Sequence, residues 1–444
     1  MANKWKLVKL GELFHVKHGY AFKGEFFTDK PEPYQLVTPG NFAIGGGFQE
    51  GKPKYYSGEI PVGFILKAGQ VIVTMTDLSK ASDTLGYCVI VPNGNTTIWL
   101  HNQRIGLLEF HDPDGICPAF FSYLSRSNDY RSWIIGSASG TTVKHTSPSR
   151  IEEYSCYIPP KKNQEAISHI LGTLDDKIEL LHQMNETLEA MARALFKSWF
   201  IDFDPVRKKA EGKPTGLPPV IDALFPDSFE DSELGEIPKG WKVRELREAI
   251  EINPYRSLPK GSIATYIEMK NIPERGLSPI AWEQKEYNGG MKFKNGDTLL
   301  ARITPCLENG KSAFIMILNQ DEIAFGSTEY IVLSGNDFIP SEWCYLLARD
   351  NNFREFAISH MNGSSGRQRV DNDSIGRFKV SLPFNKGIMT EFQRNIERSF
   401  KTIHTNYLES KTLECIRNLL LPKLISGDFE LSDQMISKIL EPVK

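Results

Sequence analysis

The sequence predicts an α+β chain that uses one plan twice, a mixed α/β domain followed by a long helix. Three observations carry this. The chain repeats itself: Trp5-Lys6-Leu7-Val8-Lys9-Leu10 is answered by Trp241-Lys242-Val243-Arg244-Glu245-Leu246, and further echoes follow at a spacing that drifts from about 236 to about 223 residues. Short apolar runs bounded by Gly, Pro and Asn fill both globular stretches. An apolar stripe of helical period runs from Ile167 to Trp199.

In residues 1–160, the first domain, Gln35-Leu36-Val37-Thr38, Val71-Ile72-Val73-Thr74, Cys88-Val89-Ile90-Val91 and Ile105-Gly106-Leu107-Leu108 read as strands, and Pro118 to Ile135 as a helix. Residues 161–204 form a central spacer helix. Written as heptads, one core position carries Ile167, Leu174, Leu181, Leu188 and Leu195, and the other Leu171, Ile178, Asn185, Ala192 and Trp199. The roughly 35 residues between Asn163 and Phe200 extend about 50 Å at 1.5 Å each. A buried-position Asn185 fixes register at some cost in stability. Pro205 ends this helix, and residues 205–238, rich in Pro, Gly and acids, read as a linker. The second domain, residues 239–386, repeats the plan with strands near Thr265 to Met269, Thr298 to Arg302, Ala313 to Leu318 and Tyr330 to Leu333, and a helix near Ser341 to Ser359. The second spacer helix, residues 387–426, carries Phe392, Ile396, Ile403, Leu413 and Leu420 on a weaker stripe, with Ser410 at the repeat position of Asn185; residues 427–444 are a tail.

Hydrophobic residues make up 40% of 444, enough for two cores. The six cysteines lie far apart with no metal-binding spacing, and neither a signal core nor an eighteen-residue apolar run occurs. A soluble, cytoplasmic protein without membrane contact is expected. Net charge is −3, with nine acids against five bases over residues 201–240 and near-neutral domains. Nucleic acid, if bound, must therefore meet local basic patches rather than a global positive field.

Catalytic motifs do not assemble. Gly310-Lys311-Ser312 resembles the tail of a phosphate loop, but Pro305 stands where the leading glycine is required. Asn253-Pro254-Tyr255 lacks the second Pro of an amino-methyltransferase tetrapeptide and reads as a turn. Glu268-Met269-Lys270 lacks the upstream Asp of a metal-dependent nuclease. His15 and His18 have no convergent acid.

What remains is donor-rich loops. His15 to Lys23 mixes cations, rings and glycine, offering Lys17, His18, Tyr20 and Lys23. Gly140 to Ser147, with Thr142, Lys144 and His145, is answered by Gly363 to Val370, with Ser365, Arg367, Gln368 and Arg369. Arg and Lys suit guanine edges, Gln suits adenine, and hydroxyls and amides hold phosphates, so these are candidate DNA contacts, with Arg104, Lys270, Arg302 and Lys311 completing the set. Leu195-Phe196-Lys197-Ser198-Trp199-Phe200-Ile201-Asp202-Phe203 holds more aromatics than one helical stripe buries. Phe196, Trp199, Phe200 and Phe203 are candidates for docking a partner, against a local staple under the linker.

That aromatic stretch continuing to Asp204-Pro205-Val206, with Gly235-Glu236-Ile237-Pro238-Lys239-Gly240-Trp241, the duplicated Trp-Lys openings and Asp175-Asp176-Lys177-Ile178, resembles the DNA-specificity subunit of type I restriction-modification enzymes over nearly the whole chain. The resemblance implies two target-recognition domains, each reading one half of an asymmetric bipartite site, and two long helices paired as an antiparallel coiled coil that set the unread gap. Leu174, Ile178, Leu181, Asn185, Leu188, Ile396, Ile403, Leu413 and Leu420 are then the pairing positions. It further implies double-stranded DNA, two methyltransferase subunits and motor-endonuclease subunits as partners, with S-adenosylmethionine, ATP and Mg on those partners and no cofactor or catalysis in this chain. The alternatives are a specificity subunit of another defence methyltransferase complex, or a scaffold bridging two proteins without DNA.

Overall fold

The computed structural model describes residues 5–77, 79, 82–93, 97–140, 143–364 and 366–441. It divides into two compact units, residues 1–179 with 412–444, and residues 180–411. Each long helix therefore contributes its two halves to different units.

In the first unit Lys6–Lys9 pairs antiparallel with Ser155–Ile158, so the Trp-Lys opening closes against the strand that leads into Pro159. A four-stranded antiparallel sheet runs in the order Phe14–His18, Ile105–Phe110, Val71–Thr74, Cys88–Ile90. A second sheet runs Phe27–Thr28, Tyr55–Tyr56, Tyr34–Leu36, Ile98–Leu100, with the last two parallel. The second unit repeats this. Lys242–Glu245 pairs with Lys379–Leu382, one sheet runs Glu251–Ile252, Tyr330–Ser334, Thr298–Ala301, Ser312–Phe314, and the other runs Glu283–Glu286, Ile263–Ile267, Ala324–Gly326, Met291–Phe293. The sequence echoes thus mark equivalent strands, because the same backbone ladder needs the same apolar alternation.

Each predicted domain helix is broken in two. Pro118–Leu124 is followed by Asn128–Gly136, and Ser341–Ala348 by Asn351–Ser359. In the second pair Asp350 accepts from the Asn352 and Phe353 amides, and this N-cap starts the second helix.

The long helices span Lys161–Phe200 and Lys386–Ser426. Within the second unit they run antiparallel, with Asn185 joined to Asn406 and the Phe196 and Trp199 rings tilted against Phe392. Ile178 and Leu181 are buried, as are Ile396 and Ile403, whereas Leu188 is half-buried against the second core. In the first unit Ile167 and Leu171 pack in one core with Leu421, Leu424 and Ile425, and Leu420 lies half-buried beside it. Leu174 and Leu413 are half-buried outside the core clusters. The partner of Asn185 is Asn406, whose amide nitrogen lies 2.9 Å from the Asn185 side-chain oxygen, while Asn185 donates to the Ile403 carbonyl at 3.3 Å. Ser410 is fully buried but turns back to the Tyr407 carbonyl.

Two expectations need correction. Residues 205–238 are more than a Pro/Gly-rich acidic linker: they hold helices Asp204–Ala210 and Pro219–Asp222 and a hairpin of Phe229–Ser232 with Gly235–Pro238, and Val206, Phe225 and Ile237 are buried in the second core. Pro205 does not end the long helix, which stops at Phe200; it sits in the first turn of the next one, where its missing N–H costs nothing. No helix among the described residues is long and apolar enough to cross a membrane.

Candidate nucleic-acid interface

The candidate contacts of the first domain gather at one end of its larger sheet. Phe14–His18 is a strand, not a loop, pairing His18 with Gly106. At its end Gly19 donates to the Ile105 carbonyl at 3.1 Å, and a Cβ there would sit 2.0 Å from the Asn102 oxygen, so only glycine lets the chain pass. Tyr20 then donates to the His101 carbonyl and its ring meets Phe22 and Phe64. Burial pushes the His101 imidazole down to about 4, and it stays neutral, bonded to the Ile105 carbonyl. Exposed Arg104 follows in the same turn, and its carbonyl accepts from Met75 at 3.0 Å. Lys144–His145 pairs with Thr76–Asp77, bringing the glycine-bracketed loop to this place; His145 Nδ1 lies 3.1 Å from the Thr76 hydroxyl. Burial raises the Asp77 carboxyl, but bonds from the Ser79 and Thr84 amides outweigh it and hold the group below the usual carboxylate range. Lys17 is engaged by Glu109 at 3.4 Å, and Lys23 stands exposed beside Glu25 on a neighbouring turn. Thr142 lies outside the described residues.

The second domain builds the same place with other side chains. Arg302 donates its amide to the Glu329 carbonyl, as Met75 does to Arg104, and Val370 donates to Arg302, as Thr146 does to Met75. Arg369 bridges Ile303 and Asn362, and His145 faces Thr76 and Ser139 in the same way. Arg104 is therefore the counterpart of Glu329, and His145 of Arg369. Gln368 accepts through its carbonyl from Thr304. Lys311 and Lys270 stand close by: Lys311 Nζ lies 3.4 Å from the Met269 carbonyl, and Lys270 pairs with Glu268 at 2.7 Å. Arg367 is exposed, and Ser365 lies outside the described residues.

Arg302 and Arg369 are not free cations. Both address Glu329, Arg369 at 2.8 Å and Arg302 at 3.4 Å, and nothing in the sequence pattern singles this acid out. The Arg369 hydrogen bonds, with both guanidinium charges, hold the Glu329 carboxyl below its ordinary range.

The aromatic stretch is corrected. Phe196, Trp199, Phe200 and Phe203 are at most 8% exposed, packed with Phe225, Trp241, Trp343 and Phe392 in the core of the second unit. They form a staple under residues 205–238, so they offer no ready docking surface. Two further polar joints have pairings that the sequence does not signal. Asp175 takes Arg126 at 3.0 Å and Arg417 at 2.7 Å, tying both helices to the first domain. Tyr345 donates to Glu189 at 2.7 Å and accepts from Arg349, which also caps the Gly310 and Glu274 carbonyls. The Gly310-Lys311-Ser312 motif is thus a structural turn around an arginine.

A family model of the type I restriction modification DNA specificity domain matches residues 2–190. Residues 2–190 carry a type I restriction modification DNA specificity domain. Over most of its length the chain is 26% identical, across 418 residues, to the type I restriction enzyme HindI specificity subunit of Haemophilus influenzae, covering 81% of this chain and 84% of the relative. It is 22% identical over 364 residues to the MjaIX specificity subunit of Methanocaldococcus jannaschii, covering 81% and 78%. Its fold matches that of the type I restriction-modification S subunit from M. genitalium with a TM-score of 0.56, over 96% of this chain and 97% of that one at 17% identity. The resemblance drawn from the duplicated openings and the central aromatic stretch is upheld, although those aromatics serve this chain's own core.

Proposed function

We propose that this chain is the sequence-specific DNA-recognition subunit of a type I restriction-modification complex. Each domain reads one half of an asymmetric bipartite site, and the paired helices set the gap. The observation that carries this reading is the sheet end built twice on one backbone plan but with different side chains, Arg104 and His145 in one domain, Glu329 and Arg369 in the other. Constant backbone with exchanged donors and acceptors suits two readers of different sequences. Catalysis, S-adenosylmethionine, ATP and Mg belong to two methyltransferase subunits and the motor-endonuclease subunits. The near-neutral domains leave part of the phosphate grip to those partners.

Co-expression with its methyltransferase subunits, followed by long-read mapping of modified adenines, tests the assignment. A two-part motif with an unspecified gap is the expected result. A verified active complex that leaves DNA unmodified, or marks it without a two-part motif, refutes it and favours a protein-bridging scaffold.

A further inference from the structure

We infer that Glu329 is a positioning residue for base selection in the second domain, orienting Arg369 so that the terminal edge of its guanidinium reads a guanine. The inference rests on the DNA-reading role proposed above. Glu329 Oε1 accepts from Arg369 Nε at 2.9 Å and Nη2 at 2.8 Å, and Oε2 accepts from Nε at 2.8 Å. Arg369 Nη1 donates to the Arg367 carbonyl at 3.1 Å. An arginine carries five N–H donors in a rigid plane. Nε, one proton of Nη2 and one of Nη1 are spent inside the protein. Two are left over, one on each Nη; the proposed geometry has the Arg367 carbonyl take the Nη1 proton on the Cδ side, so that these two lie side by side on the terminal edge. That edge matches the O6 and N7 acceptors of guanine in the major groove.

The surroundings hold this arrangement in place. The Arg369 backbone exchanges two hydrogen bonds with Asn362, both 2.9 Å, and bridges Ile303. Its side chain is 39% exposed against 23% for Glu329, so the carboxylate lies inboard and the cation outboard. Arg302, 3.4 Å from Oε2, adds a second positive charge to the same carboxylate, and its Nε has no hydrogen-bond partner among the described residues. A carboxylate carrying two guanidiniums leaves the cluster a net positive charge at a place where the first domain carries Arg104 and His145. The Glu–Arg couple is absent from the equivalent positions of the first domain, so its effect is confined to one half-site.

The test uses the full chain in complex with its methyltransferase subunits, methylating a randomised duplex library that is then sequenced, for wild type, Glu329→Gln and Arg369→Lys. The expected wild-type motif holds a G·C pair in one half-site. Gln at 329 weakens the clamp and Lys at 369 removes the fork, so each variant lowers the preference for that guanine by roughly 5- to 150-fold. The other half-site stays fully specified, which also reports that the complex is folded. An ion pair of purely structural role leaves the guanine preference intact in both variants, or weakens both half-sites together, and either result overturns the inference. So does a second half-site without guanine. A wild-type complex giving no bipartite motif overturns the DNA-reading role as well, which separates the two failures.

Discussion

Among single residues, Glu329 shows why a set of cations is not yet a site. Arg302 and Arg369 stand out in the sequence as charges in donor-rich segments, but the acid that organises them lies forty residues from Arg369 and has no sequence signature. Because the Glu329 carboxyl is lowered in the folded protein, its pairing contributes stability above the unfolded carboxylate range, and this is lost as pH falls through the folded value. Glu329→Gln should therefore melt below wild type at neutral pH and converge with it in acid, as thermal unfolding across pH would show. Trp199 poses the same problem in apolar form. It is 2% exposed, and Trp199→Ala should destabilise the second unit by about 3–5 kcal/mol in denaturant unfolding. A stable Ala variant that only lost its partner subunit would restore the docking role. Heptad spacing marks Trp199 as apolar and interfacial, yet whether its ring meets another chain or its own domain depends on residues 205–238 folding back over it.

Among the secondary-structure elements, the long helices are legible in the sequence because an apolar stripe of one period sustained over so many residues forms on an interface helix and on little else. Their extents, Lys161–Phe200 and Lys386–Ser426, lie within a few residues of the sequence bounds. The polar joint in the stripe is half legible: Asn185 is visible as a buried-position amide, its partner Asn406 is not, since the crossing of two antiparallel helices decides which residues meet. Asn406 is 7% exposed, so Asn406→Leu strands the Asn185 amide and should cost roughly 1–3 kcal/mol. The double change to Leu at both positions should recover most of that loss. A denaturant double-mutant cycle measures it, and a coupling near zero would show that the two amides act independently. The domain helices are less legible. Their apolar periodicity is continuous, and the break at Arg349–Asp350 follows from a cap and from Arg349 reaching four carbonyls at once.

For the molecule as a whole, a net charge of −3 with neutral domains cannot grip DNA by a global field. The isolated chain should bind its bipartite duplex weakly, and adding methyltransferase subunits should steepen the dependence of affinity on salt, by about 0.9 in log–log slope per added phosphate contact. Fluorescence anisotropy at several salt concentrations reads this directly; equal slopes for the chain and the complex would place the phosphate grip in this chain alone.

The order of residues is enough to specify the duplicated plan, the strand-rich domains, the long interface helices and the resemblance to type I specificity subunits. All of these are written in local period, turn chemistry and repetition, which need no knowledge of distant neighbours. Which residues share a site emerges only in three dimensions. Folding brings the strand Lys144–His145 to Thr76–Asp77, sets Glu329 between two arginines, joins Asn185 to Asn406 and turns a stretch with the composition of a linker into core. Those pairings join residues dozens to hundreds of positions apart, where sheet register and helix crossing, rather than local propensity, fix who meets whom.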